Sequence, residues 1–300
     1  MEAIVATIEA MRRQEQRGYI CQDYLYQQQQ DEASQIGPLA GKPVTIACRE
    51  KMIQWCYKVV DFCNFNRETV AIAISIMDRF MATGPGQQVA RDRSQFQLVA
   101  MTSLYTAVKI HEPEVMSAEL VSQLSRGAHT EDEIEDMERT ILQALTWQVN
   151  PPTALSFVRE FLKLLPPAVI VVNGEDVKMT IYEMCKFQSE LAVADASLIS
   201  IPASTVAFCS FINALESLQC LDRTAIGYIQ TILAQAAHIN MYSVEMPHVQ
   251  ARLCHAVAQN MQTPPTKVVA GGCAGAQRAS QPRRSSYKAS PVTVTTRMEV

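Results

Sequence analysis

Apolar positions recur along this chain at helical spacing almost from end to end. In residues 46–64, Met52, Trp55, Val59 and Phe62 form one stripe, and Ile53, Cys56, Val60 and Cys63 form its neighbour. That pattern predicts an amphipathic helix with Thr45 as its N-cap. A second helix, from just after Asn66 to about Ala82, is apolar almost all round and is expected to be buried. The stretch TGPGQQVAR reads as a loop, with Gly84-Pro85-Gly86 as its breaker. Residues 94–110 follow as a third helix on which the small residues Ala100, Ser103 and Ala107 recur. Small side chains let neighbouring helices approach closely, so this helix belongs at the centre of a bundle. A short fourth helix starts near Ser117. A fifth begins at Thr130, with Glu133 completing a capping box, and ends before Asn150-Pro151-Pro152.

The same order then repeats. Residues 153–164, 176–193, 202–217, 222–238 and 243–259 read as five further helices, and Pro202–Leu215 is a second small-residue central helix. Strand-like alternation is scarce, the best candidate being Val169–Val172. The expected fold is all-α, with an N-terminal helix and linker over residues 1–44 and two tandem five-helix bundles over 45–150 and 151–261. Residues 262–300, rich in Ser, Thr, Pro, Gly and Ala, should form a disordered basic tail.

Composition narrows the function classes. With 300 residues, 48% apolar and 19% charged, the chain can build two cores and is too weakly charged to be disordered throughout. The net charge of −4 is unevenly spread. Residues 262–300 contribute +5 (Lys267, Arg278, Arg283, Arg284, Lys288 and Arg297 against Glu299), so residues 1–261 carry −9. An acidic body is a poor nucleic-acid binder, and no nucleic-acid partner is expected. The nine cysteines form no CxxC and read as reduced core residues of an intracellular protein. Residues 196–215 carry no charge, but Ser197, Ser200, Pro202, Ser204, Thr205, Ser210 and Asn213 make them too polar for a membrane span. No signal peptide and no membrane partner are expected. Glycine-rich phosphate loops and G-x-S-x-G are absent from the sequence. His111-Glu112-Pro113 lacks the second His of a zinc-protease helix, and Pro113 forbids that helix. An enzyme, a metal site and a cofactor are therefore not expected.

Positive evidence comes from an ordered set of short motifs. Arg49 to Trp55 is followed by Met77-Asp78-Arg79-Phe80, Gln97-Leu98-Val99 and Ala107-Val108-Lys109. Then come Met137-Glu138, Ile141-Leu142, Leu145-Thr146-Trp147 and Pro152-Thr153. In order and spacing this run resembles a cyclin box. The second half resembles a cyclin C-terminal box more weakly, through Pro202-Ala203-Ser204.

The resemblance implies a binding module whose partner is a cyclin-dependent protein kinase, activated for cell-cycle control in the nucleus, the cytoplasm or both. It also implies residue roles. Lys109 and Glu138 match the pair that clamps the kinase's mobile helix, with Ile110, Leu142, Trp147 and Val149 as an apolar rim on the kinase. Arg49 and Asp78 match a structural salt bridge between the first two helices. Arg49, Met52, Trp55 and Gln97 match a groove that docks kinase substrates or inhibitors through Arg-x-Leu peptides. Here Lys51 replaces an apolar residue and Lys58 stands where an acid is usual. Two cations repel such a basic peptide, so standard docking is not expected. In the tail, Thr263-Pro264 and Ser290-Pro291 are minimal proline-directed phosphosites. Arg283-Arg284-Ser285-Ser286 resembles a basophilic kinase site or a short nuclear-import patch. Two other readings stay open: a transcriptional adaptor of the same fold, and an unrelated helical scaffold.

Overall fold

The apolar stripes become helices in the computed structural model, which describes residues 1–26, 43–166, 171–172, 175–218 and 221–262. Helix α1 (Glu2–Gly18) leads. The first bundle holds α2 (Ile46–Phe62), α3 (Glu68–Met81), the short α4 (Gly84–Val89), α5 (Arg93–His111), α6 (Ala118–Leu124) and α7 (Glu131–Ala144). The second opens with α8 (Ala154–Leu164) and a small antiparallel pair, β1 (Val171–Val172) with β2 (Glu175–Asp176). It continues through α9 (Lys178–Ala194), α10 (Ala203–Ser217), α11 (Arg223–Ala236) and α12 (Glu245–Gln262). The chain is thus all-α in architecture, two tandem bundles of five main helices, the first with the short α4 added between its second and third, and one minimal hairpin. Among the described residues no helix is long and apolar enough to cross a membrane. The basic tail expected over 262–300, with Thr263, Ser286 and Ser290, lies outside the described residues beyond Gln262.

The small-residue helices sit where their composition predicts. On α5, Ala100, Ser103 and Ala107 are fully buried, and the helix packs on α2, α3, α6 and α7. On α10, Ala207, Ser210 and Ala214 are fully buried against α8, α9, α11 and α12. Each bundle has its own core, the first around Phe80, Phe96 and Met101, the second around Phe157, Phe161 and Phe211. Burying a side chain of this size contributes about 1.5–3 kcal/mol.

The structure departs from the sequence expectation at Gly84-Pro85-Gly86, which opens α4 rather than a loop. Thr83 caps it, accepting from Gly86 N, and Pro85 stands in the first turn, where a missing N–H costs nothing. Gly86 is required by crowding, since a Cβ there would lie 2.0 Å from Phe80 O. Thr45 occupies the N-cap of α2, but its hydroxyl meets Cys48 Sγ at 3.3 Å and caps no backbone N–H.

The capping box of α7 forms as read. Thr130 Oγ1 accepts from Glu133 N at 3.2 Å, and Glu133 Oε2 accepts from Thr130 N at 2.8 Å. Replacing Thr130 with Ala is expected to lower stability by about 1 kcal/mol. A urea midpoint unchanged from the native protein would show the cap to be idle.

Helix α1 packs where its sequence position does not suggest. Ile8 is fully buried in the second core, with Ile4, Val5 and Met11 against it, although the first bundle follows α1 in the chain.

Candidate functional site

Lys109 lies in the last turn of α5 and Glu138 near the middle of α7, two helices packed side by side. Lys109 Nζ donates to Glu138 Oε2 at 2.9 Å and to Oε1 at 3.1 Å. One turn back on α5, Thr106 Oγ1 donates to the same Oε1 at 3.2 Å. The ammonium also sits 4.7 Å from the ring centroid of Tyr105. Partial burial works against the Lys109 charge, but the hydrogen bond and charge of Glu138 outweigh it and raise the lysine pKa. The Lys109 side chain stays 39% exposed while Glu138 is 14% exposed. The result is a held carboxylate with an accessible cation above it, able to present both a donor and an acceptor to a docking chain. Tyr105 and Thr106, which orient the pair, carry no motif that marks them in sequence; their i, i+3 and i, i+4 spacing to Lys109 is the available signal.

Around this pair, Ile110 is exposed, and Leu142 and Val149 are half-buried. Leu142 follows Glu138 by four residues and shares its helix face. Trp147 is 68% exposed because of the way α7 ends. Thr146 and Trp147 both have left-handed backbones, φ +49° and +61°. Trp147 N donates to Leu142 O at 2.9 Å and Thr146 N to Gln143 O at 3.1 Å. This is a Schellman closure with Thr where Gly is usual. Non-glycine residues held so cost about 1–3 kcal/mol each, a strain that clusters at functional surfaces.

Arg49 on α2 and Asp78 on α3 form a buried, two-pronged pair. Arg49 Nη2 donates to Asp78 Oδ2 at 2.7 Å and Nε to Oδ1 at 3.0 Å, with both side chains under 10% exposed. Tyr24 Oη, from the segment before α2, donates to the same Oδ1 at 3.1 Å. Burial, and then the Asp78 charge, push the Tyr24 hydroxyl well above the ordinary tyrosine range. The sequence marks Arg49 and Asp78 but not Tyr24.

Of the other groove residues, Met52 and Trp55 are each 5% exposed and belong to the first core, and Gln97 is half-buried. Lys51 and Lys58 are exposed on the same helix.

A second charged node has no counterpart in the sequence reading. Glu15 of α1 is 2% exposed. Its Oε1 accepts from Ser204 N at 2.9 Å and its Oε2 from Ser204 Oγ at 2.7 Å, so it caps the start of α10. Arg12 Nη1 donates to Glu15 Oε2 at 2.6 Å and Arg12 Nε to Ala237 O at 2.9 Å. Further ties join the bundles. Arg67 pairs with Glu190 at 2.9 Å, and Arg159 pairs with Glu68. Among the described residues no cluster of His, Cys, Asp and Glu could hold a metal ion.

Two family models match the chain. The cyclin N-terminal domain matches residues 6–150 and the cyclin C-terminal domain residues 152–265. The chain is 30% identical over 204 residues to a G2/mitotic-specific cyclin-B1 of Anguilla japonica, covering 67% of this chain and 46% of that protein. It is 34% identical over 116 residues to a G1/S-specific cyclin-E1 of Gallus gallus, covering 39% of this chain and 28% of the relative. The chain spans about half the length or less of the curated relatives it matches. Among solved structures, a viral cyclin from herpesvirus saimiri matches with a TM-score of 0.51 at 16% identity, covering 73% of this chain and 90% of that one. That likeness speaks to the fold.

Proposed function

The chain belongs to the cyclin family, and on that premise we propose that it is a regulatory subunit that binds and activates a cyclin-dependent protein kinase, controlling cell-cycle progression in the nucleus, the cytoplasm or both. The observation that carries the reading is the Lys109–Glu138 pair, preassembled at 2.9 Å on a face that also exposes Ile110 and Trp147. We assign the kinase contact to the box over residues 45–150, with residues 151–261 as the second box.

The subunit supplies no bond-making chemistry. Lys109 and Glu138 offer a donor and an acceptor to backbone groups at the kinase's mobile helix, while Ile110, Leu142, Trp147 and Val149 pack on its apolar side. Phosphoryl transfer belongs to the kinase. Activation is then a population shift, driven by tighter binding to the active conformation. Moving a kinase from 1:99 to 99:1 active takes about 5.5 kcal/mol of preference. Substrate docking through basic Arg-x-Leu peptides should be weak. Lys51 and Lys58 are exposed cations, and Met52 and Trp55 turn their apolar surface into the core.

Lys109→Glu and Glu138→Lys are each expected to weaken binding of a cyclin-dependent kinase by roughly 30-fold, near 2 kcal/mol, the low end for a charged hydrogen-bonded contact because Lys109 is part-exposed. The double swap restores the internal ion pair and with it the stability, but not the docking. Pull-down with a histone-phosphorylation readout measures both. Equal binding by native and reversed forms removes this interface, and the absence of any bound kinase removes the function.

A further inference from the structure

Arg79 follows Asp78 on α3 but lacks the kind of partner that Arg49 has. It is 6% exposed. Its Nη2 donates to Gln148 O at 2.6 Å, and its guanidinium stacks on the Tyr19 ring, 4.5 Å from the centroid. Among the described residues no carboxylate pairs with it, and Nη1, itself buried, has no hydrogen-bond partner. Burial lowers its pKa, and the nearby Tyr19 and Cys21 only partly offset this. A cation so enclosed without a counter-charge is costly, and the cost is recovered when an acceptor arrives.

Arg79 lines an open pocket of about 300 Å³. Ile20 and Gln22 wall it after α1, Ala82 and Thr83 after α3, and Thr146 and Gln148 after α7. Gln148 packs directly over Gly18, where a Cβ would sit 1.7 Å from Gln148 Oε1. Thr146 and Gln148 bracket the exposed Trp147, so the pocket adjoins the face described above, and Ile20 at its rim is 52% exposed.

We propose that this pocket takes an aspartate or glutamate side chain carried by the protein that docks on the Lys109–Glu138 face, with an apolar neighbour of that acid against Ile20 and Trp147. The proposal rests on the docking reading above. A carboxylate fits better than a phosphate for an electrostatic reason. The pocket lies at the carbonyl ends of α3 and α7, whose dipoles favour cations. One negative charge balances Arg79, and a second meets those carbonyls.

The two tryptophans allow a test on the full chain that needs no kinase, since Trp55 is buried and Trp147 is exposed beside the pocket. N-acetylaspartate methylamide should shift the Trp147 indole N–H resonance saturably in the millimolar range and leave Trp55 unmoved. The asparagine counterpart at equal ionic strength should do neither. Arg79→Met should abolish the response. Ala82→Glu provides a second route should Arg79→Met fail to fold, because it places the chain's own carboxylate at the pocket. It should block the probe, raise the melting temperature and weaken kinase binding about tenfold, the order of one charge-assisted hydrogen bond. An unresponsive native chain, equal responses to both probes, or a normal response from Ala82→Glu overturns the pocket. A stronger response to phosphoserine methylamide overturns the carboxylate assignment. A chain that answers the acid but binds no kinase keeps the pocket and loses the docking reading. Unchanged kinase affinity in Ala82→Glu overturns the assignment to that partner.

Discussion

Asp78→Asn is expected to cost about 3–5 kcal/mol of folding stability, the usual consequence of removing one member of a buried ion pair. Three donors converge on this carboxylate, two from Arg49 and one from Tyr24. An amide in its place keeps one acceptor and turns an NH2 toward donors. Arg49 is then left buried with its charge uncompensated, its other hydrogen bond among the described residues being to Ala194 O at 3.4 Å. In the native protein burial opposes the Arg49 charge, but Asp78 more than compensates and raises the arginine pKa. Domains of this size have only about 5–15 kcal/mol of stability, so the variant should sit close to its threshold. Urea unfolding measures the loss. An unfolding free energy within about 1 kcal/mol of native, the scale of an exposed pair, would show the site to be relaxed or hydrated. A double-mutant cycle with Arg49→Met isolates the coupling, and the two losses should be strongly non-additive.

Glu15→Ala should cost a comparable amount, about 3–5 kcal/mol, and act on the second bundle. The carboxylate is 2% exposed and serves at once as helix cap for α10 and counter-charge for Arg12. Its loss leaves Ser204 N at the start of the central helix without this acceptor, and Arg12 with only Ser204 Oγ and Ala237 O. Because Ile8 anchors α1 in that same core, the helix should also loosen. Two readouts separate this from general destabilisation. Amide exchange at Ser204 should accelerate ahead of the first bundle, and trypsin should reach Arg12, Arg13 and Arg17 earlier than in the native protein. Uniform acceleration across both bundles would instead make Glu15 an ordinary core residue. Glu15→Gln, which keeps the shape and one acceptor, should lose less.

Part of this was legible in sequence. Helix spacing, the α7 capping box and the small-residue central helices are local properties of the chain, set by backbone periodicity and cap chemistry over a few residues. The ordered motifs also singled out Lys109, Glu138, Arg49 and Asp78. The loop read at Gly84-Pro85-Gly86 became α4 because proline is harmless in a first turn and Thr83 supplies the cap.

The sequence by itself determined that the chain is helical, where its long helices run, and which residues carry a cyclin-like pattern. Tertiary structure decided which of those residues meet. Trp55 and Trp147 both stand at apolar positions, yet one is in the core and the other 68% exposed, because only the second follows a left-handed helix end. Glu15 reaches Ser204 across 189 residues, and Arg79 is left without the counter-charge its neighbour Asp78 gives Arg49. The physical reason is the range of each effect. Helical period and capping act within a turn, whereas the pairing and burial of a charge depend on which helices pack, and packing is settled by the whole core.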